Sequence, residues 1–291
     1  MLTRTILIIV LLVVFPVAVF SAEDDSGKEW SFGYNAYARW EANRTTKGLG
    51  ATDCVVTLKG NYGPKISAVL EMRCAPPTRM NKAFVDYKVI SGLKLRAGQF
   101  SNPFKFLEPP PSLLPFAQNM LVFHYLANSD DLGVAVHGDW GPASYSVCLL
   151  NGADRNTPDN NQEKDYIGYL QLKPTGFLTV EGCYQQGQQP DGLRKGYYSL
   201  LRLTPHSRVL IEGVWVERFD LDDRGWQVFG TFAVKPTWWL TARSHQVTQD
   251  DKVAWTFGTQ ILIEDKLKVQ PNIVFGESRR PNWSIALQLD I

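Results

Sequence analysis

The sequence predicts an all-β fold: a transmembrane antiparallel β-barrel of about 16 strands, with a long third loop folded into the lumen. Two observations carry this prediction. Apolar and polar residues alternate in short segments, and the links between the segments are by turns tight and long. Barrels that cross a membrane are built in this way, because lipid-facing and lumen-facing side chains alternate along each strand and the short turns lie on one side.

The first and last segments show the alternation most clearly. From Trp30 to Glu41, aromatic and small apolar residues occupy one face and mostly polar residues the other, and Trp283 to Ile291 repeats the pattern with aliphatic residues. Successive side chains of a strand point to opposite faces, so each segment predicts a strand with one apolar face. Further strands are predicted between them at residues 52–60, 65–74, 81–89, 93–100, 132–140, 143–151, 165–173, 177–186, 196–204, 208–217, 225–234, 238–247, 252–263 and 266–275.

The links predict how the barrel is oriented. Every other link is tight, and most of these contain Gly or Pro, as at 141–142 and 173–176, because these residues suit tight turns. The links between them are longer and more polar, for example 151–164 and 186–195. We therefore predict short turns and both mature termini on the periplasmic side. Trp and Tyr residues near the strand ends predict an aromatic girdle at each membrane surface.

The chain begins with the features of an export signal. Arg4 precedes the apolar run 6–20, and small residues follow before the acidic stretch at 23–25. This pattern predicts a signal peptide over residues 1–22 and a barrel domain over 23–291, although an uncleaved membrane anchor is the alternative. Lys and Arg number 30 against 29 Asp and Glu, so the overall charge gives no reason to expect nucleic acid as a partner.

The third long link, Ser101 to Asp130, is rich in Pro, Phe and Leu. An apolar loop of this length would expose a large hydrophobic patch if it were surrounded by water. We therefore expect the loop to fold inward and narrow the lumen. An outward cap or a short helix over the mouth is the alternative. The residues predicted to form the constriction are Pro103, Phe104, Lys105 and Glu108.

Strand parity predicts a charged lumen. The basic residues that should point inward include Arg39, Lys59, Arg73, Lys82, Lys88, Lys94, Arg96, Arg202, Arg243 and Lys268, and the acids include Glu41, Glu71, Asp86, Glu181 and Glu212. Bases thus outnumber acids about two to one, which favours anions. The alternative is that acids and bases pair across strands. If a selectivity site exists, we place it at Arg73, Lys82 and Arg96, tempered by Glu71 and Asp86.

No catalytic or metal-binding pattern accompanies these charges, and no cofactor or enzymatic activity is predicted. The His residues are scattered, without the spacing of metal ligands. The Cys residues lie inside alternating segments and are expected to be small wall residues. Cys54 and Cys74, on neighbouring predicted strands, are the one pair for which a disulfide is considered.

Four stretches carry a resemblance to a known family: Lys82–Tyr87, Leu93–Phe104, Asp131–Gly138 and Leu149–Gly152. A strand that ends in an acidic–aromatic pair is followed by a basic strand that runs into Gly-Gln-Phe and a Pro-Phe step. This order resembles the phosphate-selective porin O/P family. The resemblance implies a sixteen-stranded porin barrel, a third loop in the lumen and a homotrimer. The chain differs from the family pattern where Asp130-Asp131 stands in place of a usual Arg.

Together, the pattern and the resemblance predict an outer-membrane channel for passive diffusion of small anionic or neutral hydrophilic solutes. The barrel would contact outer-membrane lipid and show a weak, phosphate-like anion preference. Two other functions stay open from the sequence. One is a barrel that acts as a scaffold or secretion partner without general channel activity, and the other is an exported soluble β-rich binding protein.

Overall fold

The computed structural model describes residues 30–43, 50–74, 77–103, 130–153, 155–157, 159, 163–189, 192–220, 222–247, 253–263, 267–276 and 282–290. Within these residues the chain forms sixteen strands. They are β1 Trp30–Asn43, β2 Gly50–Tyr62, β3 Ile66–Arg73, β4 Arg79–Ile90, β5 Leu93–Ser101, β6 Asp130–Trp140, β7 Ala143–Leu150, β8 Asp165–Thr175, β9 Leu178–Gln189, β10 Gly192–His206, β11 Val209–Arg218, β12 Asp223–Lys235, β13 Trp238–Val247, β14 Ala254–Ile263, β15 Leu267–Phe275 and β16 Asn282–Asp290.

Each strand pairs antiparallel with its neighbours in the chain, and the sheet closes on itself. The closing seam joins β1 to β16, in a register that runs from Tyr37 opposite Asp290 to Asn43 opposite Ser284. Closure leaves no strand with an unpaired edge, and every backbone polar group of the wall can then be satisfied within the sheet. The predicted fold class, an antiparallel barrel of sixteen strands, is confirmed.

The alternating segments account for all sixteen strands, but one link differs from its prediction. Residues 186–195 were expected to form a long polar loop, yet β9 continues to Gln189 and β10 already begins at Gly192. Gly192 has a φ of 139°, a conformation that suits Gly. Polar residues continue the ladder here because strand pairing depends on the backbone and does not require apolar side chains. The two strands therefore pair as far as Gln189 opposite Gly192.

The two faces of the wall have opposite polarity. Large apolar side chains such as Val134, Val147 and Val228 are exposed on the outer face. The alternate positions face inward and are rich in charged and amide side chains. Exposed aromatic residues lie near both ends of the outer face, among them Tyr166, Trp215 and Trp255 at one end and Tyr87, Phe232 and Trp238 towards the short turns. Tyr184 is exposed on the same face but lies in the middle of β9, because this strand extends further than predicted.

An apolar cluster occupies part of the inner face. It extends from β5 to β12 and is formed by Phe100, Ala135, Cys148, Leu150, Ile167, Cys183, Tyr198, Leu200, Val214, Val216 and Phe229. Leu150 and Val216 are each 1% exposed. The inner surface is therefore not uniformly polar: charged groups and a packed apolar area share it.

Two sequence predictions fall on residues that lie outside the described part of the chain. The proposed leader, 1–22, is one of them. Most of the third link is the other, because only residues 101–103 and 130 of it are described, and Pro103 is buried. Within the described residues, no helix is long and apolar enough to cross a membrane.

Candidate functional site: the inner wall

The predicted lumen residues that the structure describes all lie on the inner face of the wall. The bases there are Arg73, Lys82, Lys94, Arg96, Arg202, Arg243 and Lys268, and the acids Glu71 and Asp86 lie among them. The side chain of Arg39 is outside the described residues, but its backbone pairs with Asp53 and Gln288. The proposed constriction residues Phe104, Lys105 and Glu108 are also outside. The ion-binding role of the set stays a prediction.

A first ion pair joins β3 to β4. Glu71 lies opposite Lys82 in the register, and Lys82 Nζ donates to Glu71 Oε2 at 2.9 Å. The other carboxylate oxygen accepts from Asn81 Nδ2 at 3.2 Å. The register shifts between Glu71 and Met72, and this irregularity brings Asn81 as well as Lys82 to the same carboxylate. Lys82 is therefore held in a pair and is not an isolated cation.

A second group centres on Asp86. Arg96 lies opposite it on β5 and makes a bidentate contact, from Nε to Oδ1 at 2.7 Å and from Nη2 to Oδ2 at 2.8 Å. His137 Nε2 on β6 is 3.2 Å from Oδ1 of the same carboxylate. The Arg96 guanidinium also lies 4.0 Å from the ring centre of Phe84. The fork geometry and the aromatic contact fix Arg96 in one orientation.

A third group crosses β8 to β11. Arg202 donates from Nε to Glu212 Oε2 at 2.6 Å, and its Nη1 lies 3.9 Å from Glu181 Oε1. Gln171 Nε2 donates to the same oxygen of Glu181 at 2.6 Å. Both acids are buried, Glu212 to 1% exposure. One arginine between two buried carboxylates gives this part of the wall no excess of positive charge.

The short-turn end of β2 to β5 is arranged differently. Lys88 and Lys94 lie directly opposite each other in the register of β4 and β5, and Lys59 on β2 is also on the inner face of this end. Lys59 and Lys88 are exposed and Lys94 is half-buried. Among the described residues, none of the three lysines has an acidic partner within ion-pair distance. We call these three residues the lysine end.

The remaining predicted bases lie in other surroundings. Arg243 on β13 and Lys268 on β15 are 1% and 2% exposed, and Arg243 Nη2 donates to Thr256 Oγ1 at 3.1 Å. Arg73 is half-buried at the end of β3. It lies one register step from Glu71, on the same face. The structure thus brings Lys82 and Arg96 into one neighbourhood with their acids but places Arg243 and Lys268 on a distant part of the wall.

The inner face also carries charges that the sequence analysis left out. The acids Asp131, Asp139, Asp165 and Asp223 lie there by register, as do the bases Arg194 and Arg218. The excess of bases over acids is therefore smaller than the predicted two to one. These residues stand at strand ends, where the alternation that assigns faces is weakest as a sequence signal.

A cavity of about 150 Å³ opens beside the Asp86 group. Its lining includes Arg96, His137, Ser146, Cys148 and Tyr169. Within the part of the chain that the structure describes, no cluster of three or more His, Cys, Asp or Glu side chains is arranged to hold a metal ion. The cavity lining thus combines one guanidinium, hydroxyl groups and aromatic rings with the carboxylate of Asp139, so it is polar and carries charges of both signs.

Outside the strands, Asp220 in the link after β11 has a shifted pKa. Burial alone would raise the pKa, but hydrogen bonds from Arg218 and from the backbone N–H of Lys195, with the Arg218 charge, lower it below the ordinary value of 3.8. Arg218 Nε donates to Asp220 Oδ1 at 2.8 Å. The ion pair therefore persists below the pH at which a free Asp is protonated.

The fold matches solved structures of outer-membrane proteins. A mutant of Rh. blastica porin aligns with a TM-score of 0.67 and 11% sequence identity, over 89% of this chain and 100% of the porin. The chain has the porin fold. The loop L8 deletion mutant of OmpT, an outer membrane protein of Vibrio cholerae, aligns with a TM-score of 0.69 and 12% identity, over 91% of this chain and 99% of that one. No protein-family model and no curated protein matches the sequence.

Proposed function

We propose that this protein is an outer-membrane porin, a channel for passive diffusion of small hydrophilic solutes. The observation that carries the proposal is the inverted polarity of a closed barrel: apolar side chains cover the outside, and charges face the inside. Such a wall is stable when lipid surrounds it and water enters it. The likeness to solved porins supports the fold on which this function rests.

Conductance tests the proposal directly. The purified barrel, added to a planar lipid bilayer, is expected to produce stepwise increases in current that persist at low voltage. A barrel that inserts but conducts no ions would contradict channel function and favour a scaffold or secretion partner. A protein that stays in the soluble periplasmic fraction without detergent would contradict the membrane location.

The lipid-facing surface can be tested by substitution on one strand. Val228, in the middle of β12, is 47% exposed on the outer face, whereas Thr231 of the same strand faces inward. Val228→Lys is expected to lower the free energy of unfolding by about 2–4 kcal/mol, because a Lys ammonium at the bilayer midplane loses its hydration. The matched control Thr231→Lys is expected to cost much less. Equal losses in liposome-based urea unfolding would count against a lipid-facing outer wall.

The proposed channel has a weak preference for anions, which we assign to the lysine end. Lys88 and Lys94 put two like charges directly opposite each other, an arrangement that costs stability, and Lys59 adds a third on the same face. Exposed cations in a confined passage raise the local concentration of anions. In contrast, Lys82 and Arg96 are already paired with acids.

Reversal potentials in a salt gradient test this assignment. The triple substitution Lys59→Gln, Lys88→Gln and Lys94→Gln is expected to shift the reversal potential towards cation selectivity at similar conductance. The control is the double substitution Glu71→Gln and Lys82→Gln, which removes one acid and one base and is expected to leave the potential unchanged. The preference is not located at the lysine end if both variants behave alike.

Membership in the phosphate-selective porin O/P family is part of the proposal and rests on the resemblance over 82–152. Membership in this family would make phosphate a preferred small anion of the channel. Inorganic phosphate is then expected to reduce chloride current through the open channel in a saturable manner. If the phosphate current rises with phosphate concentration without saturating, the channel has only a general anion preference. That result would contradict the family assignment.

We further propose that the third link narrows the lumen. The apolar cluster on the inner face offers a surface that an apolar segment can cover, and Phe100 and Pro103, where the link begins, are both buried. Removing residues 106–126 is expected to raise single-channel conductance. A shortened barrel with the conductance of the full chain would contradict a constriction by this link.

The proposed assembly is a homotrimer. Small side chains on the outer face of β3 to β5, Ala68, Ala83 and Ala97, would let a second barrel wall approach closely. Ala68→Trp with Ala97→Trp is expected to reduce the mass measured in mild detergent from trimer to monomer. Ala242→Trp, on the opposite part of the outer wall, is the control. A wild-type protein with the mass of a monomer in mild detergent would contradict the proposed homotrimer.

A further inference from the structure

The link after β7 reaches back over the rim of the barrel to earlier strands. The backbone N–H of Gly152 donates to Asp131 Oδ2 at 2.7 Å, and the other oxygen of this carboxylate accepts from the N–H of Leu132. Asp131 is 2% exposed. We call residues 151–153 and 155–157 the rim strap. The strap therefore contacts the start of β6 twice, through this buried carboxylate and through the N–H of Asn151, which donates to the carbonyl oxygen of Leu132 at 2.9 Å.

Arg155 makes the longest reach of the rim strap. Its Nη1 donates to Asn81 Oδ1 on β4 at 2.6 Å, and its Nη2 lies 3.3 Å from Asp130 Oδ2 on β6. The second oxygen of Asp130 accepts from Ser101 Oγ at 2.7 Å. Asp130 is fully buried. One guanidinium thus joins two strands, and the carboxylate that it contacts joins the last residue of β5 to the first of β6.

Asn156 adds a second set of contacts beside Arg155. Its backbone N–H donates to Gln99 Oε1 at 2.9 Å, and its Nδ2 donates to the carbonyl oxygen of Met80 at 2.8 Å. Gln99 Nε2 donates to the same carbonyl at 3.0 Å. Asn156 has a φ of 55°, which turns the strap so that both groups face the strands. With those of Gly152 and Arg155, the contacts of the strap are spread over β4, β5 and β6.

Part of this network meets the end of β5 and the start of β6, the two strand ends that flank residues 102–129. Ser101 ends β5 and Asp130 begins β6; Ser101 donates to Asp130, and Asp130 in turn contacts Arg155. We propose that Arg155 is a positioning residue of the channel: by linking Asn81 on β4 to Asp130 on β6, it holds these strand ends in one arrangement and so limits fluctuation in the width of the mouth. The proposal rests on the proposed channel function. It also gives the buried Asp130 a role.

Arg155→Gln tests the proposal, and the chain offers a matched control. Arg194 Nη1 lies 3.4 Å from Asp165 Oδ2 at the same end of the barrel. The two ion pairs are similarly buried: the side chains of Arg194 and Asp165 are 14% and 1% exposed, and those of Arg155 and Asp130 are 16% and 0% exposed. Arg194→Gln removes an ion pair of similar burial whose acid lies on β8, away from the ends of β5 and β6. Barrels that keep their folded mobility on unheated gels are compared in planar bilayers.

We expect Arg155→Gln to raise the variance of the open-channel current severalfold. Arg155→Lys should bring this variance most of the way back to the wild-type value, and Arg194→Gln should have the wild-type variance.

Hydrogen exchange gives a second measurement that does not require conductance. Exchange at residues 99–101 and 130–132 should become faster in Arg155→Gln alone. If Arg155→Gln does not assemble, Asn156→Ala takes its place. Unchanged current and exchange, or equal effects of Arg194→Gln, would overturn the inference. A silent wild-type barrel would instead contradict channel function.

Discussion

Two neighbouring register pairs of β4 and β5 lie on the same inner face and differ in charge pattern. Asp86 faces Arg96 in a bidentate ion pair, and one step towards the short turn Lys88 faces Lys94. The first pair is neutral and largely buried, whereas the second concentrates positive charge where water reaches it. Strand parity assigns all four residues to the same face, so the face alone does not determine the field inside the barrel. The cross-strand partner does.

The strongest test of this contrast is Asp86→Asn. The change removes the carboxylate that Arg96 and His137 share, and the partly buried guanidinium then loses its charged partner. We expect the free energy of unfolding to fall by about 1–3 kcal/mol. Urea unfolding in liposomes measures it. The double variant Asp86→Asn with Arg96→Gln should recover part of the loss, and additive losses would mean that the two side chains are not coupled.

A smaller effect is expected at the neighbouring pair. Glu71→Gln leaves Lys82 with a neutral partner, and both side chains are more exposed than those of Asp86 and Arg96, respectively. The free energy of unfolding should therefore fall by about 1 kcal/mol or less. The comparison with Asp86→Asn uses the same unfolding assay. A loss larger than that of Asp86→Asn would reverse the order of the two pairs.

The lysine end should respond in the opposite direction. Lys88→Gln removes a repulsion with Lys94 and is expected to raise the free energy of unfolding by about 0.2–0.5 kcal/mol at low salt. Because the lysines are solvated, the gain should vanish at high salt. A gain that persists at high salt would point to packing and not to charge.

The smallest effect belongs to the pair formed by Arg218, the last residue of β11, and Asp220 in the link that follows. The folded pKa of Asp220 is lowered, so its contribution to stability is present above the unfolded pKa and is lost as the pH falls through the folded value. The small difference between the wild type and Arg218→Gln should therefore be constant near neutral pH, begin to fall below about pH 4 and disappear only below the folded pKa. A difference that grows on acidification would assign Asp220 a raised pKa instead.

The sequence contained enough to predict the fold and the orientation of the lumen residues. Period-two alternation determines the face of Arg73, Lys82 and Arg96 without knowledge of the register. Which acid meets which base depends on register, and register depends on turns and on the shift beside Glu71. Alternation does not encode these details. The net balance of inward charge was therefore overestimated.

The contacts that the links make with the strands are harder to predict from the sequence than the faces of the strands are. Arg155 belongs to a polar stretch with no periodicity, and its partners Asn81 and Asp130 are 74 and 25 residues away in sequence. The acidic pair at 130–131 was visible as a departure from the family pattern, but its meaning appears only when the strap is folded over the rim. Similarly, the polar composition of 186–195 concealed two continuing strands.

The seam between β1 and β16 has a consequence for how the chain folds. Every other pairing in the barrel joins consecutive strands, so its contacts form between residues closer in sequence. The seam alone joins two segments that are separated by nearly the whole chain. The entropy cost of bringing these two ends together is therefore met in one step, the pairing of β1 with β16. Assembly should thus proceed by quick local pairing followed by one slow closure. A circular permutant that links the present ends and opens at a rim loop would keep the same barrel while moving that slow step to a different pair of strands.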